Sequence, residues 1–217
     1  MTEPATRIIA IRHGETHWNA ASRIQGQLDI GLNDAGRWQA QRLAQALAGE
    51  ALDAVYSSDL VRARDTAQAV AGRAGLEVRT DIGLRERGFG VFEGLTFTEI
   101  EQRFPEPARR WRQRDASFGP EGGETLTAFY DRAVARVTAL AALHRGQHIA
   151  VVAHGGVLDA LYRAASRVAL DAPRTWAVGN ASINRLLASD AGLTLIGWAD
   201  SFHLEELAPG EAGELAA

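Results

Sequence analysis

The 217-residue sequence predicts an α/β fold with a mostly parallel central sheet, on three observations. Short apolar, largely β-branched runs (Ile8-Ile9-Ala10-Ile11, Leu52-Asp53-Ala54-Val55-Tyr56 and Ile149-Ala150-Val151-Val152-Ala153) have the length of buried strands. Segments with the apolar spacing of amphipathic helices come between them. Parallel strands joined by helices bring their carboxyl ends to one sheet edge. Two of these runs deliver a histidine followed by glycine to that edge, His13-Gly14 and His154-Gly155.

Arg12-His13-Gly14-Glu15-Thr16 closes the first strand. Gly14 lets the chain turn away, so Arg12 and His13 stand at the edge where open α/β sheets bind ligands. A strong cation beside an imidazole suits an anion that the imidazole attacks. The following segment, through Asn19, Arg23, Gln25 and Gly26, is a polar loop expected to form a wall of the pocket. Asn33 is the expected N-cap of a helix running to about Ala48, with Trp38, Leu43 and Leu47 facing inward and Gly49 as the stop. After the second strand, Arg62 falls in the first turn of a helix beginning near Leu60. Arg64, two residues on, diverges by about 200° and is expected to point away.

Glu77 to Thr80 is a candidate short strand, and Leu84 to Gly94 a loop with three glycines and two aromatics. Glu86, between Arg85 and Arg87, reads from local pattern alone as an ion-pair partner or a placed functional acid. Thr96 to Arg114 has helical spacing interrupted by Pro105 and Pro107, and its Arg109–Arg114 cluster is a solvated face or an overhang above an anion site. An amphipathic helix from Leu126 to Leu143 buries Phe129, Ala133, Val137 and Leu140. The third strand leads to a helix from Val157 to about Ala165. Two further strands, Ser182–Ala188 and Leu193–Ala199, flank an Asp190-Ala191-Gly192 turn. The tail after Leu207 reads as frayed. With neither linker nor repeat, residues 1–217 are expected to form one domain.

Composition narrows the chemistry. A formal net charge of -4 argues against a broad nucleic-acid or anionic-membrane surface. No apolar run approaches the roughly 20 residues needed to span a bilayer, and the start, Met1-Thr2-Glu3-Pro4, lacks the features of a secretory signal. A cytoplasmic location is expected. The chain has no cysteine and no lysine, which excludes disulfides, thiolate zinc, a cysteine nucleophile, Schiff-base chemistry and a Walker-type lysine. If the protein handles phosphate, it does so with arginine, histidine and backbone amides.

Arg12, His13, Arg62 and His154 therefore meet at one edge. Arg12-His13-Gly14-Glu15-Thr16 with Trp18-Asn19 resembles the signature of the histidine phosphatase superfamily, in its phosphoglycerate mutase-like branch. Ser57-Ser58-Asp59-Leu60 with Arg62-Ala63 and Thr66-Ala67, then Leu84-Arg85-Glu86 with Gly90 and Glu93-Gly94, then His154-Gly155, resemble its later blocks in order. The resemblance implies a three-layer α/β/α sandwich of phosphoglycerate mutase-like type. It implies that His13 is a nucleophile forming phosphohistidine, that Arg12, Arg62 and His154 bind the phosphoryl oxygens with Asn19, and that Glu86 is the proton donor. Arg23, Gln25, Gly26 and Gly155 fall at substrate-lining positions.

Physics agrees with those roles. A neutral imidazole is available near pH 7 from a reference pKa of about 6.5. A phosphate monoester carries about -1.5 to -2 charges that arginine grips with paired hydrogen bonds. A unit charge pair about 4 Å apart is worth roughly 4 kcal/mol at an effective dielectric of about 20. Two arginines and a protonated His154 would then stabilise the transition state without a metal or cofactor.

The expected activity is hydrolysis of small phosphorylated metabolites. The alternative is a cofactor-dependent phosphoglycerate mutase. Such mutases usually follow the acid with Arg-His-Tyr, whereas Glu86 here precedes Arg87-Gly88-Phe89; the Arg23-Ile24-Gln25-Gly26-Gln27 loop is similar to the small bacterial phosphatase-like members. The Arg109–Arg114 cluster keeps the mutase open, as a site for a substrate carboxylate. A metal held by His13 and His17, and an inactive binding module of the same fold, are the remaining readings. The sequence leaves the oligomeric state open, a homodimer included.

Overall fold

A computed structural model describes residues 4–205. Met1 to Glu3 and the tail after Leu207, on which the missing leader and the frayed end were read, lie outside the described residues. Within them, β1 (Thr6–Arg12) leads through a one-turn α1 (His17–Ala20) to α2 (Asp34–Ala46), β2 (Ala54–Ser57), α3 (Val61–Ala74) and β3 (Val78–Thr80). Two short helices follow, α4 (Phe97–Arg103) and α5 (Pro105–Arg112), then α6 (Leu126–Ala142), β4 (His148–Ala153) and α7 (Gly155–Ser166). The hairpin β5 (Ile183–Ser189) and β6 (Gly192–Asp200) completes the order. The strands form one six-stranded sheet, β3-β2-β4-β1-β5-β6. Its first four members are parallel, and β5 and β6 are antiparallel additions at one side.

Both faces of the sheet are covered, which is why its central strands read as nearly unbroken apolar runs. Ile8, Ala10, Val151 and Ala153 face Phe129, Val137 and Leu140 of α6 and Leu158 and Leu161 of α7. Ile9, Ile11, Ala150 and Val152 face Leu43 of α2 and Ala63, Ala67 and Val70 of α3. The mostly parallel three-layer α/β/α arrangement is thus the one expected. Phe92, Ile100, Ala108 and Phe118 make a smaller apolar cluster under α4 and α5.

Several local expectations change. Trp38 does not face inward: it is 39% exposed and lies beside the Arg42 guanidinium. The buried stripe of α2 is Gly36, Ala40, Leu43 and Ala44, and Trp38 stands about 140° around the helix from Leu43. That helix ends at Ala46 with Leu47 as its cap, so Gly49 is not its stop. The segment from Thr96 is interrupted at Pro105 as expected, with Pro105 opening the next helix at its first position, but Pro107 lies within that helix and does not break it. The last helix starts at Gly155 rather than Val157, directly behind β4.

Candidate active site

The pairing of β1 with β4 sets the centre of the site. Arg12 is in register with Ala153, and the His13 amide donates to the Ala153 carbonyl at 3.0 Å. His13 and His154 are therefore the first residues past two adjacent strands, with ring centroids 5.2 Å apart. His13 Nδ1 donates to the carbonyl of Gly14 at 2.6 Å, which fixes the tautomer and leaves the lone pair on Nε2. Asn180, just before β5, donates from Nδ2 to the His13 carbonyl at 2.9 Å, and the Ala181 amide donates to the Arg12 carbonyl at 2.9 Å. The Gly14 amide donates to Thr66 Oγ1 of α3 at 3.0 Å. Gly14 is demanded by close approach: a Cβ there would lie 2.5 Å from the Gly36 carbonyl oxygen.

Arg12, His13, Asn19, Arg23, Gln25, Gly26, Arg62, Glu86 and Gly155 all line one cavity of about 250 Å³. Arg62 is buried while Arg64 is exposed, as the helical geometry predicted. Arg62 donates to the carbonyls of Leu28 (2.7 Å) and Gly26 (2.8 Å), so it also shapes the loop opposite. Arg12 donates from Nη1 to the Val178 carbonyl at 2.6 Å. The Nε atoms of Arg12 and Arg62, and both ring nitrogens of His154, are buried without a partner among the described residues. Arg23 is more tied down than its expected role implies, donating to the Gly94 carbonyl and to Glu99 at 2.9 Å. Asn19 Oδ1 accepts from the Thr16 amide and closes a capping box at α1. His17 begins that helix and His13 precedes it, so the two do not share a helical face, as the metal reading required.

His154 departs from expectation in its charge. It is fully buried and packs edge-on against the ring of His13, with neither ring nitrogen hydrogen-bonded among the described residues. Burial, then the nearby Arg62, His13 and Arg12, pushes its pKa well below the ordinary imidazole value, so it is neutral in the free site rather than protonated. His13 is lowered in the same way, by burial first and then by Arg12 and Arg62, with the Gly14 carbonyl opposing. Burial brings Arg62 down to about 10, which leaves it cationic at neutral pH. Burial also lowers Arg12, with Glu86 opposing.

Glu86 is not paired with either flanking arginine. Arg85 forms a two-pronged bond with Asp59 (2.7 and 2.5 Å), and Arg87 donates to the carbonyls of Glu124 and Phe118. The Glu86 carboxylate instead accepts from the amides of Arg87 (2.8 Å) and Gly156 (3.0 Å), the latter in the first turn of α7. A Cβ on Gly156 would stand 2.2 Å from Glu86 Oε1. Arg132 of α6 straps the loop by donating to the carbonyls of Gly83, Arg85 and Glu86 while pairing with Glu124.

Sequence reasoning missed Gly156, Phe89, Val178 and Arg174 on the cavity wall, and Thr66 and Asn180 as supports. Thr66 belongs to the Thr66-Ala67 block, a usable signal; the segment from 167 to 180 shows no periodicity that would mark it.

The arrangement is a buried neutral imidazole, two guanidinium edges without a partner among the described residues and a carboxylate at one cavity, which suits binding of a small tetrahedral anion. Residues 8–201 match the profile of the histidine phosphatase superfamily (branch 1). The chain is 44% identical to "Phosphoglycerate mutase-like protein 4" of Arabidopsis thaliana, over 92% of this chain and 87% of that one. It is 38% identical to a metal-independent phosphoserine phosphatase of the same plant, over 93% and 84%. A solved mycobacterial glucosyl-3-phosphoglycerate phosphatase complexed with VO3 superposes with a TM-score of 0.81 at 36% identity, covering 90% of this chain and 99% of that one. Joined to the four motif blocks and the geometry above, these matches mean that the chain belongs to the histidine phosphatase superfamily.

Proposed function

We propose that the protein hydrolyses phosphoric monoesters of small metabolites through a phosphohistidine on His13. One observation carries the reading. The buried donors left without partners among the described residues, on Arg12, Arg62 and His154, lie about the His13 ring, whose tautomer is fixed with Nε2 free to attack. Burying such donors unpaired costs about 1–3 kcal/mol each, more for charged groups. A phosphoryl group satisfies them together.

In the first step, the Nε2 lone pair attacks phosphorus and the ester P–O bond breaks. Glu86, in its acid form, gives its proton to the departing oxygen, so an alcohol leaves. Arg12 and Arg62 balance the charge on the equatorial oxygens, and neutral His154 offers an N–H rather than a third cation. The amides of the first turn of α7 add positive potential on the same side. Next, Glu86 as carboxylate takes a proton from water, whose oxygen attacks phosphorus. The P–N bond breaks, returning neutral His13 and inorganic phosphate.

Hydrolysis is favoured over phosphoryl return because Gly88 and Phe89 place neither an imidazole nor a hydroxyl beside Glu86, and Phe89 presents an apolar wall to the cavity. The test is phosphate release from a panel of metabolite esters, run beside an assay for 3- to 2-phosphoglycerate conversion. Release without interconversion is expected. Glu86→Gln should slow alkyl esters about 10²- to 10⁴-fold and aryl phosphates, which have good leaving groups, far less. Interconversion outpacing release, or equal losses on both ester types, would contradict the proposal.

A further inference from the structure

The phosphoryl cavity does not end at Glu86. A second chamber of about 520 Å³ adjoins it, sharing Glu86, Phe89, Gly156 and Arg174 as a common wall. Its size falls within the roughly 300–1,000 Å³ of sites that hold ligands well above three carbons. Trp111, Leu126, Phe129 and Pro173 supply apolar surface. Four guanidinium groups face it, and they are not equivalent. Arg87 is engaged by carbonyls, Arg112 is paired with Glu101, and Arg114 is paired with Asp159 at 2.9 Å. Arg174 is exposed and makes no ion pair or hydrogen bond among the described residues.

The backbone that carries it is nonetheless held in place, because the loop is tied down on both sides of Arg174. Arg114 Nε donates to the Leu170 carbonyl at 2.8 Å, and buried Arg163 donates to the carbonyls of Ala169 and Ala172. Trp176 stacks on Tyr162 with centroids 4.0 Å apart, and Val178 holds Arg12. Pro173 further limits the backbone before Arg174. Burial is what chiefly lowers the pKa of Arg12 in the phosphoryl cavity and of Arg114 in the chamber, and the charge of Arg174 adds a smaller push to both. A cation kept unpaired on a braced loop, within reach of the place where the alcohol part of the ester must leave, is an anion receptor in waiting.

Resting on the hydrolase reading, we propose that Arg174 is a specificity-determining residue that binds a second acid group, carboxylate or phosphate, on the alcohol part of the substrate. The preferred substrates are then phosphomonoesters of hydroxy acids or of a second phosphate ester, with Arg12 and Arg62 taking the reacting group and Arg174 the other.

Two matched pairs test it. Glycerol 1-phosphate and 3-phosphoglycerate differ by a hydroxymethyl in place of a carboxylate; fructose 6-phosphate and fructose 1,6-bisphosphate differ by one phosphate. The wild type should prefer the acidic member of at least one pair. In Arg174→Gln the acid-to-neutral ratio of kcat/KM should fall about 10- to 100-fold, the scale of a charge-assisted hydrogen bond, mostly through KM. Arg174→Lys should recover part of it. A response in the first pair alone identifies the carboxylate, in the second alone the phosphate. An unchanged ratio, or equal losses on both members, would overturn the proposal. Calorimetric binding of the same four compounds reads the preference without turnover, so a failure of the hydrolase reading, seen as no phosphate release from any of them, stays distinct from a failure of this one.

Discussion

Two arginine-rich regions of this protein look alike in sequence and differ in structure. In the Arg109–Arg114 segment each guanidinium has a carboxylate: Arg109 with Glu106, Arg110 with Asp115, Arg112 with Glu101 and Arg114 with Asp159. At the sheet edge Arg12 and Arg62 bind only backbone carbonyls and leave their Nε atoms unpartnered. Carbonyl bonds fix the plane of a guanidinium without an ion pair; a carboxylate in direct contact both fixes it and pairs its charge. A local run of arginines therefore says little about anion binding. What matters is whether the neighbouring carboxylates are close enough to neutralise it.

Substitution in the two regions should separate them sharply. Arg12→Gln and Arg62→Gln are expected to lower kcat/KM about 10²- to 10³-fold, as for loss of a donor to a transition-state oxygen. Arg109→Gln and Arg110→Gln should leave both kcat/KM and Tm without measurable change, since exposed ion pairs contribute little. Steady-state kinetics with folding checked by Tm reads this, and a comparable loss in both regions would erase the distinction.

A smaller effect sharpens the same contrast through pH. His13 and His154 have pKa values lowered by burial first and then by the charges of Arg12 and Arg62. Below about 6.5 the unfolded chain binds protons at these two positions that the folded protein refuses. Stability should therefore fall as pH drops from about 6.5, by at most about 1.4 kcal/mol per pH unit for each histidine. Denaturant midpoints at pH 7 and 5.5 should differ less in His154→Gln than in the wild type; an equal difference would remove this histidine as a source of acid sensitivity.

These features were unequally legible in the sequence. His13, Arg12, Arg62 and His154 could be placed because each sits at a fixed offset from a strand end, and strand ends follow from apolar runs. The order of the helices followed for the same reason. On α2 the expected inward residues Leu43 and Leu47 are buried, but Trp38 is not, because the small residues Gly36, Ala40 and Ala44 complete that face and a pattern of large apolar residues does not mark them. The neutral state of His154 depends on how deeply two strand ends sink below the surface, which no local pattern encodes. Arg174 was missed for a related reason: its loop is held partly by Arg163 and Tyr162 of the preceding helix and partly by Arg114 and Arg12, which are distant in sequence, so the course of the loop is a tertiary fact. Gly156 carries no local signal in the sequence, yet its missing side chain is what lets Glu86 reach the amide of α7.

The central claim is that His13 Nε2 becomes covalently bonded to phosphorus. Rapid acid-free quenching during turnover of a labelled ester, followed by peptide mapping under alkaline conditions, tests it most directly. Acid-labile, base-stable phosphate on the peptide containing residue 13, absent from His13→Ala along with turnover, is the expected result. Label retained in His13→Ala, or turnover by that variant at the wild-type rate, would contradict the account.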